Sequence, residues 1–440
     1  MKTYSRYKPS GIEWIGNIPE HWENRKLSRS FNLIGSGTTP KSDNLEYYEN
    51  GTVNWVLTGD LNDSIIYESS KKITESAFQE HSTLKMFPKN TLLIALYGAT
   101  IGKVGILDIE ACTNQACCAL SGSYLIDYKF AYYWFIVNRS HIINLSYGGG
   151  QPNISQEIIK SLKISCPSLT EQTTITAFLD IKTIELSNAI FKKQQLIELL
   201  EEERKAIVNE AVTKGINKKV KLIPTGVDWL GEVPEHWQIK KIKHTSYVKG
   251  RVGWNGLRSD EFLDSGYSYL ITGTDFENGL VSWNTCYHID KERYEEDPFI
   301  QLQENDLLIT KDGTIGKTAI VKDLNGYACL NSGIFVVRPL NGFYITSFLY
   351  YILNSNIFTQ FINFTSSGST IQHLYQNVFN EFKFTVPPIS EQTDIVNYIG
   401  KQTTKINCTI SQISQEIELL KEYRQSLIFE AVTGKIKIEA

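Results

Sequence analysis

The sequence has no long apolar run, few cysteines and no excess of positive charge. No stretch reaches the roughly 18 apolar residues of a membrane span, and residues 1–6 lack the apolar segment of a signal peptide. The seven cysteines show no Cys-x-x-Cys spacing, so we expect reduced thiols in a cytoplasmic protein with no membrane partner. The formal net charge is −4, which argues against a broad basic face; DNA binding would need local clusters or partner subunits.

The sequence also lacks the motifs of common enzymes. It has no Gly-x-Ser-x-Gly, no His-Glu-x-x-His, no dinucleotide fingerprint and no Asn/Asp-Pro-Pro-Tyr/Phe of an amino-methyltransferase. The glycines before Lys103 and Lys317 are too closely spaced for a phosphate-binding loop. His21 and His236 have no second ligand at metal spacing. We therefore predict no catalytic residue, no metal and no cofactor in this chain.

What the sequence does contain is a duplication. Residues 9–22 return as residues 224–237, and residues 199–213 return as residues 419–433. A period of this length exceeds that of solenoid repeats and indicates two copies of a whole domain with its connector. The segments 36–48 and 249–258, by contrast, have nothing in common. A retained scaffold with changed loops is expected of two readers of different targets.

Each copy predicts a mixed α+β domain followed by a long helix. Short β-branched and aromatic runs separated by Gly, Asn and Asp predict the strands. Thr170 and Ser390 are the predicted N-caps of the long helices, and Gly215 and Gly434 their predicted ends. The predicted domains are 1–167 and 217–387, and the predicted spacer helices 168–216 and 388–440. In each copy Pro-Glu-His-Trp is interpreted as a structural clasp with its tryptophan in the core.

The two long helices carry the same apolar stripe. This predicts an antiparallel, coiled-coil-like pair with an approximate two-fold axis; the alternative is that each helix packs only on its own domain. The residues predicted to form the helix-pair or partner interface are Ile175, Leu179, Leu186, Ile190, Ile197, Leu200, Ile207, Ile395, Ile399, Ile406, Ile410, Ile417, Leu420 and Leu427.

Glycine- and amide-rich loops carry the residues predicted to contact DNA. Lysine can bind phosphates, and Arg, Asn and Gln can contact base edges. Lys103 and Lys317 end a repeated Thr-Ile-Gly-Lys turn, for which a plain hairpin is the alternative. The basic clusters at 25–29 and 240–244 could position phosphates or form a solvated face. The predicted contact residues are Lys41, Thr58, Lys103, Gln151, Asn153, Lys249, Arg251, Asn255, Arg258, Thr272, Lys317, Gln372 and His373.

The duplicated opening, the domain–helix–domain–helix order and the Glu-Gln helix starts at 171–172 and 391–392 resemble the specificity subunit of Type I restriction-modification enzymes. The resemblance implies two target recognition domains, each reading half of a bipartite, asymmetric site in double-stranded DNA. It also implies helices that set the gap between half-sites and dock two methyltransferase subunits. S-adenosylmethionine, ATP and Mg²⁺ would be held only by partner subunits, and motor-nuclease restriction subunits would join for cleavage. A protein scaffold that binds no DNA is the alternative.

Overall fold

The computed structural model describes residues 2–146, 153–251, 257–365 and 373–439. The chain divides into two compact units. The first unit comprises Met1–Gln194 together with Ser414–Ala440, and the second comprises Gln195–Ile413. The end of the chain therefore belongs to the same unit as its beginning.

The first unit is a mixed α/β domain. Its strands are β1 Tyr7–Pro9, β2 Asn17–Pro19, β3 Glu23–Lys26, β4 Leu33–Ser36, β5 Val53–Val56, β6 Ser64–Ile66, β7 Lys71–Ile73, β8 Leu92–Ala95, β9 Val104–Leu107, β10 Cys112–Thr113, β11 Cys117–Ser121 and β12 Lys163–Cys166. Its helices are α1 Leu27–Ser30, α2 Glu75–Glu80, α3 Tyr128–Val137, α4 Arg139–Asn144, α5 Gln156–Ser161 and the long α6 Leu169–Lys214, which continues into the second unit.

Two sheets organise the first unit. The larger has the order β4-β11-β8-β9-β6 and the smaller has the order β10-β5-β7. β8 and β11 pair antiparallel with Leu92 opposite Leu120, and every residue of both strands is buried. One face of the larger sheet packs on α3, whose Phe130 and Trp134 lie in the main core, and the other face forms a separate core with Val56 and Phe87. Burial of both faces explains why these strands show continuous apolar runs.

The second unit repeats this architecture. Its strands are β13 Leu222–Pro224, β14 Glu232–Pro234, β15 Gln238–Lys241, β16 Ser246–Lys249, β17 Ser268–Ile271, β18 Phe276–Glu277, β19 Leu280–Val281, β20 Tyr287–Ile289, β21 Leu307–Thr310, β22 Thr318–Ile320, β23 Tyr327–Leu330, β24 Ile334–Pro339 and β25 Lys383–Val386. Its helices are α7 Ile242–Thr245, α8 Lys291–Glu295, α9 Thr346–Leu353, α10 Asn356–Thr365, α11 Gln376–Asn380 and the long α12 Ile389–Val432, which continues into the first unit. The sheets have the orders β16-β24-β21-β22-β19-β18 and β20-β17-β23.

Both long helices begin two residues earlier than the predicted N-caps imply. α6 starts at Leu169, and the Ser168 hydroxyl accepts a hydrogen bond from the Glu171 N–H at 3.4 Å. Thr170 is therefore inside the helix and its assignment as N-cap is wrong; Ser390 is likewise inside α12. Gly215 and Gly434 follow the helix ends with φ of 73° and 71°, which confirms them as stops because this conformation suits glycine.

Within each unit the two long helices run antiparallel. In the first unit, the Arg424 guanidinium donates to the Ser187 hydroxyl at 3.1 Å, and Lys193 pairs with Glu416. In the second unit, Arg204 donates to the side-chain oxygen of Asn407 at 2.8 Å. The predicted fold class, two homologous mixed domains with two long antiparallel helices, is confirmed.

The ends of the apolar stripe belong to the domain cores. The core of the first unit contains Ile175 and Leu179 from α6 and Leu427 from α12, and the core of the second contains Ile395 and Ile399. Each core is thus built from the start of one long helix and the end of the other, because Ala431 and Ala211 are buried there as well. The remaining predicted interface residues are all buried or half-buried: Leu186, Ile190, Ile197, Leu200, Ile207, Ile406, Ile410, Ile417 and Leu420.

One further residue of the stripe, Ile413, was missed by the sequence analysis. Val208 and Ile413 are buried, whereas Ile207 and Ile410 beside them are only half-buried. In α12 the buried positions Ile399, Ile406 and Ile413 are seven residues apart. This heptad spacing, which was visible in the sequence, is the signal that identifies Ile413.

Candidate nucleic-acid interface

In the second unit, several neighbouring strands begin or end at the same side of the two sheets, so that their loops lie together. β16 ends at Lys249 and β21 ends at Thr310, while β22 begins at Thr318 and β24 begins at Ile334. Because β24 is antiparallel to both β16 and β21, and β21 is antiparallel to β22, these four ends lie side by side. The Asn331 N–H donates to the Ile271 carbonyl at 2.9 Å, which adds the end of β17. We call residues 249–251, 272–275, 311–317, 331–333 and 373 the second loop edge.

Lys317 joins two loops of this edge. Its Nζ donates to the Gly273 carbonyl at 3.0 Å and lies 5.8 Å from the ring centre of Phe276. Gly273 begins a 3-10 turn that the Asp275 carboxylate caps by accepting from the Thr272 N–H at 2.7 Å and the Thr272 hydroxyl at 2.8 Å. The predicted residues Thr272 and Lys317 are thus brought together, with the lysine exposed.

The turn 311–317 holds His373 at the same edge. His373 Nδ1 contacts the Asp312 carboxylate, and the two residues form a β-bridge. The Leu374 N–H donates to the Lys311 carbonyl at 2.8 Å, and Lys311 Nζ lies 5.1 Å from the ring centre of Phe335. Neither Lys311 nor Asp312 was singled out from the sequence, because both lie just before the repeated glycine-lysine turn and differ from Leu96 and Tyr97 of the first copy.

Arg251 is internal, contrary to the prediction that it contacts DNA. Only 1% of the residue is exposed. Its Nε donates to the Leu330 carbonyl at 3.1 Å and its Nη2 lies 3.6 Å from the Cys329 sulfur. A guanidinium held this way supports the loop after β23 and cannot also reach a base edge. Lys249, two residues before, is exposed, with Nζ 5.6 Å from the ring centre of Phe299.

The other predicted contact residues of the second unit are not among the described residues of the second loop edge. Arg258 is exposed, and its N–H donates to the Glu261 carboxylate at 2.7 Å in a short 3-10 turn. Asn255 and Gln372 lie outside the described residues, as does Gln151 of the first unit. DNA contact stays a prediction for these three residues, as it does for the exposed residues that the structure places.

The first unit has the equivalent edge. β4 ends at Ser36 and β8 ends at Ala95, while β9 begins at Val104 and β11 begins at Cys117, and the same antiparallel pairings place these ends together. The Asn114 N–H donates to the Val56 carbonyl at 3.2 Å, as Asn331 does in the second unit. We call residues 37–41, 57–62, 96–103, 114–116 and 153 the first loop edge.

Lys103, Thr58 and Asn153 are all part of the first loop edge. Lys103 Nζ donates to the side-chain oxygen of Asn62 at 3.4 Å, so it is tethered to the segment after the 3-10 turn Thr58–Asp60, much as Lys317 is. Asn153 forms a β-bridge with Tyr97 and is exposed. Lys41 is exposed in the loop after β4. The predicted lysine turn therefore occupies the same place in both units.

The structure shifts one sequence alignment by a residue. β5 Val53–Val56 corresponds to β17 Ser268–Ile271, so Leu57 is the equivalent of Thr272. In both units the aspartate three residues later caps this position: Asp60 accepts from the Leu57 N–H at 2.8 Å. Thr58 and Thr272 are therefore not equivalent although each precedes a glycine, because the turn is fixed by the capping aspartate rather than by the glycine.

Two other predictions concern groups near the helices. Trp22 and Trp237 are buried, which confirms the clasp interpretation. Their neighbours His21 and His236 contact the first-turn carboxylates Glu171 and Glu391 at 2.9 and 2.8 Å, and burial together with the bond to Glu171 raises the pKa of Tyr4. Lys241 and Lys243 both bind the Glu381 carboxylate and lower its pKa to about 2, so this carboxylate offsets one of their two positive charges.

The sequence analysis missed a pair of asparagines that end a tetrapeptide repeated in the two copies. Ala-Cys-x-Asn occurs at 111–114 and again at 328–331, and both asparagines begin the loop that follows the parallel strand of the smaller sheet. Thr39 and Gln115, whose side chains bond at 2.7 Å across the first loop edge, were missed too. Only the repeated tetrapeptide could have been found without the structure.

The described side chains offer little for covalent chemistry. Six cysteines are buried, and burial raises the pKa of Cys112, Cys118 and Cys286 to about 12, which keeps these thiols protonated. Within the described ranges no group of three or more His, Cys, Asp or Glu residues is placed to hold a metal ion. Nor does any described helix have the length and apolarity to cross a membrane.

Comparison with known proteins agrees with this architecture. The Type I restriction modification DNA specificity domain matches residues 19–200 and 234–419. The specificity subunit of the Type I restriction enzyme MjaIX from Methanocaldococcus jannaschii is 22% identical over 437 residues, covering 97% of this chain and 96% of that protein. The MjaVIII specificity subunit of the same organism is 22% identical over 322 residues, covering 72% of each.

Solved structures share the fold. A chain from a structural study of complex assembly and conformational transition in a type I restriction-modification system superposes with a TM-score of 0.75 at 14% identity, covering 95% of this chain and 99% of that one. The HsdS subunit of Thermoanaerobacter tengcongensis superposes with a TM-score of 0.56 at 14% identity, covering 95% and 98%. Since the family model matches both copies over most of their length, this chain belongs to the Type I restriction-modification DNA specificity family.

Proposed function

We propose that this chain is the DNA-reading subunit of a Type I restriction-modification complex. The first and second loop edges would each read one half of a bipartite, asymmetric site in double-stranded DNA. The observation that carries the proposal is that two homologous sheets present loops at the same edge while the loop sequences differ. Equal scaffolds with unequal loops suit two different half-sites better than a scaffold that binds no DNA.

The chemistry of the edges supports DNA contact. Lys103 and Lys317 lie at equivalent positions, each held by a single contact from Nζ to the neighbouring loop. The first loop edge carries two lysines and one aspartate, and the second carries three lysines, one arginine and two aspartates. The small positive excess of each edge suits a reader whose affinity for phosphate is shared with partners. Asn153 and His373 enter their edges by equivalent β-bridges, and amide or imidazole groups can hydrogen-bond base edges.

We also propose that the chain itself is not catalytic and works in the cytoplasm. Methyl transfer and cleavage would occur on partner subunits, which would bind S-adenosylmethionine, ATP and Mg²⁺. The protonated, buried cysteines and the lack of catalytic motifs in the sequence support this division of labour.

The long helices are the proposed docking surface for two methyltransferase subunits and for motor-nuclease subunits. On α6, Ile181, Ile184 and Phe191 are 59%, 60% and 58% exposed, and their spacing places them along one helix face. On α12, Leu419 and Tyr423 are 63% and 49% exposed. Large apolar side chains exposed in a row are typical of protein interfaces.

The experiment is methylation mapping with the complete system. The chain assembled with its methyltransferase partner should methylate a two-part motif, and exchange of residues 37–60 with those of a relative should change one half only. Purified chain without partners should neither methylate nor cleave DNA. Methylation without sequence preference, or binding of the methyltransferase with no DNA retention, would instead favour the scaffold.

A further inference from the structure

The second unit contains a groove whose lining differs in charge from the equivalent residues of the first unit. It has a volume of about 700 Å³ and lies between the helix pair and α9. Arg204 and Lys205 line one side, and Tyr350, Tyr351, Thr403 and Asn407 line the others. None of the described residues that line it is an aspartate or a glutamate. It contains none of the residues of the second loop edge, so it is separate from the proposed DNA contacts.

The duplication identifies what fills this place in the first unit. Gln172 and Gln392 make the same pair of bonds to the backbone before α3 and α9, which aligns Lys129 with Ser347 and Tyr133 with Tyr351. The long helices align Asp180 with Gly400. In the first unit, the Asp180 carboxylate accepts from Lys129 Nζ at 2.6 Å and from the Tyr133 hydroxyl at 2.7 Å.

In the second unit this carboxylate is missing and its tyrosine remains. Ser347 and Gly400 replace the lysine and the aspartate, and an ideal Cβ on Gly400 would meet nothing within 4 Å. Glycine is unfavourable inside a helix, and no described neighbour requires it here. A glycine with open space above it permits close approach of another backbone.

A second ion pair has been lost at the same groove. In the first unit Asp63, in the turn before β6, pairs with Arg139. β6 pairs with β9 and β19 pairs with β22, with Ile65 opposite Ile106 and Leu280 opposite Ile320. This register aligns Asp63 with Asn278, and both residues adopt positive φ. At the corresponding place on the facing helix, Gln425 is replaced by Lys205. In the first unit two carboxylates therefore pair with Lys129 and Arg139, whereas the groove of the second unit has Arg204 and Lys205 and no carboxylate among its described lining residues.

We propose that this groove binds an acidic segment of a protein partner. A carboxylate of that segment would take the position that Asp180 occupies in the first unit, accepting from the Tyr351 hydroxyl and pairing with Arg204 or Lys205. The bare backbone at Gly400 would let the segment lie close to α12. The site exists once per chain, so it fits a partner that binds one copy, and it does not depend on whether the loop edges read DNA.

The test is fluorescence anisotropy with the full-length chain. The probe is a fluorescein-labelled 14-residue helical peptide with glutamates four residues apart, and the control probe is the same peptide with glutamine for each glutamate. We expect saturable 1:1 binding of the acidic peptide and at least tenfold weaker binding of the control. Gly400→Asp, which supplies the carboxylate internally, should weaken the acidic peptide at least tenfold, as should Arg204→Gln with Lys205→Gln.

Matched variants of the first unit complete the design. Arg424→Gln, at the position equivalent to Arg204, should leave peptide binding unchanged. Lys129→Ser with Asp180→Gly should open the equivalent space and raise the stoichiometry to two. Circular dichroism and thermal melting identify variants that fail to fold, and Gly400→Ala provides a stable alternative that should still weaken binding by filling the space above the helix.

Several results would overturn the proposal. These are no saturable binding to the wild-type chain, equal binding of the glutamine peptide, or no effect of Gly400→Asp in a folded protein. Complete displacement by millimolar succinate would indicate a site for small carboxylates, and displacement by a short DNA duplex would indicate phosphate binding; either contradicts a protein segment as occupant.

Discussion

An ion pair in the second unit is replaced by neutral groups in the first, which allows a sharp test of its role. Arg338 Nε and Nη2 donate to the two oxygens of Asp306 at 2.6 and 2.7 Å, and the Asp306 side chain is only 4% exposed. The equivalent residues of the first unit are Ser121 and Thr91, since Leu120 pairs with Leu92 as Val337 pairs with Leu307. There the Thr91 and Ser121 hydroxyls are hydrogen-bonded to each other at 3.0 Å.

Arg338→Met should destabilise the second unit strongly. The variant keeps most of the side-chain volume but leaves the Asp306 carboxylate buried without its cation, which costs about 3–5 kcal/mol. For a unit of 150–250 residues each kcal/mol lowers Tm by about 2–4 °C, so the expected shift is roughly 6–20 °C. Differential scanning calorimetry of the full-length chain measures it.

The double variant Arg338→Met, Asp306→Thr should recover most of this loss. It removes both charges, and the threonine hydroxyl can bond a nearby carbonyl, as Thr91 bonds the Pro88 carbonyl at 2.7 Å. Replacing both partners of a buried pair costs much less than removing one, so Tm should return to within about 5 °C of wild type. A double variant as unstable as the single one would refute the argument that the unpaired charge is the cause.

Three other outcomes are expected. Lys103→Ala and Lys317→Ala should each weaken DNA binding by the assembled complex and reduce its dependence on log salt by about 1, measured by titration at several salt concentrations, and methylation mapping should assign each lysine to one half-site. For Glu381, whose folded pKa of about 2 lies below the unfolded value, stabilisation is full above about pH 4.3 and lost as pH falls towards 2; the Tm difference between wild type and Glu381→Gln should vanish there, and a constant difference would contradict it. Gly434→Ala should cost more than about 1 kcal/mol, because φ is positive and the new Cβ would lie 2.3 Å from Pro19 Cδ; urea unfolding of the first unit measures the loss.

The duplication made most of the fold predictable from sequence. Two copies of the same segments predicted two similar domains, and the equivalent apolar positions of the two long helices predicted that they pair. The N-cap of α6 was misplaced because Ser168 and Thr170 are both good capping residues and only the backbone decides between them. The sequence did not show which apolar residues of the stripe pack in a domain core and which pack only between the two helices. This depends on the fold, because each core contains the start of one long helix and the end of the other.

The loop edges were predictable in part. Lys103 and Lys317 stood out because the tetrapeptide before them is repeated, and the structure places both at the loop edge. Arg251 was misassigned because a glycine-rich loop suggests exposure, while the guanidinium in fact satisfies the Leu330 carbonyl beneath the sheet edge. Long-range partners of this kind depend on strand order, which residue types alone do not determine.

Residues 414–440 belong to the first unit, and this affects the order in which the two units can fold during synthesis. Leu427, Ile428 and Ile436 are part of that unit's core, and the Lys437 N–H donates to the Lys2 carbonyl at 2.9 Å. During synthesis the first unit can therefore be completed only after residues 414–440 have been made, when Gln195–Ile413 of the second unit is already present. A nascent chain that stops before Ser414 would contain all of the second unit but would lack part of the first unit's core. Premature termination would therefore destabilise the unit whose N-terminal part is synthesised first.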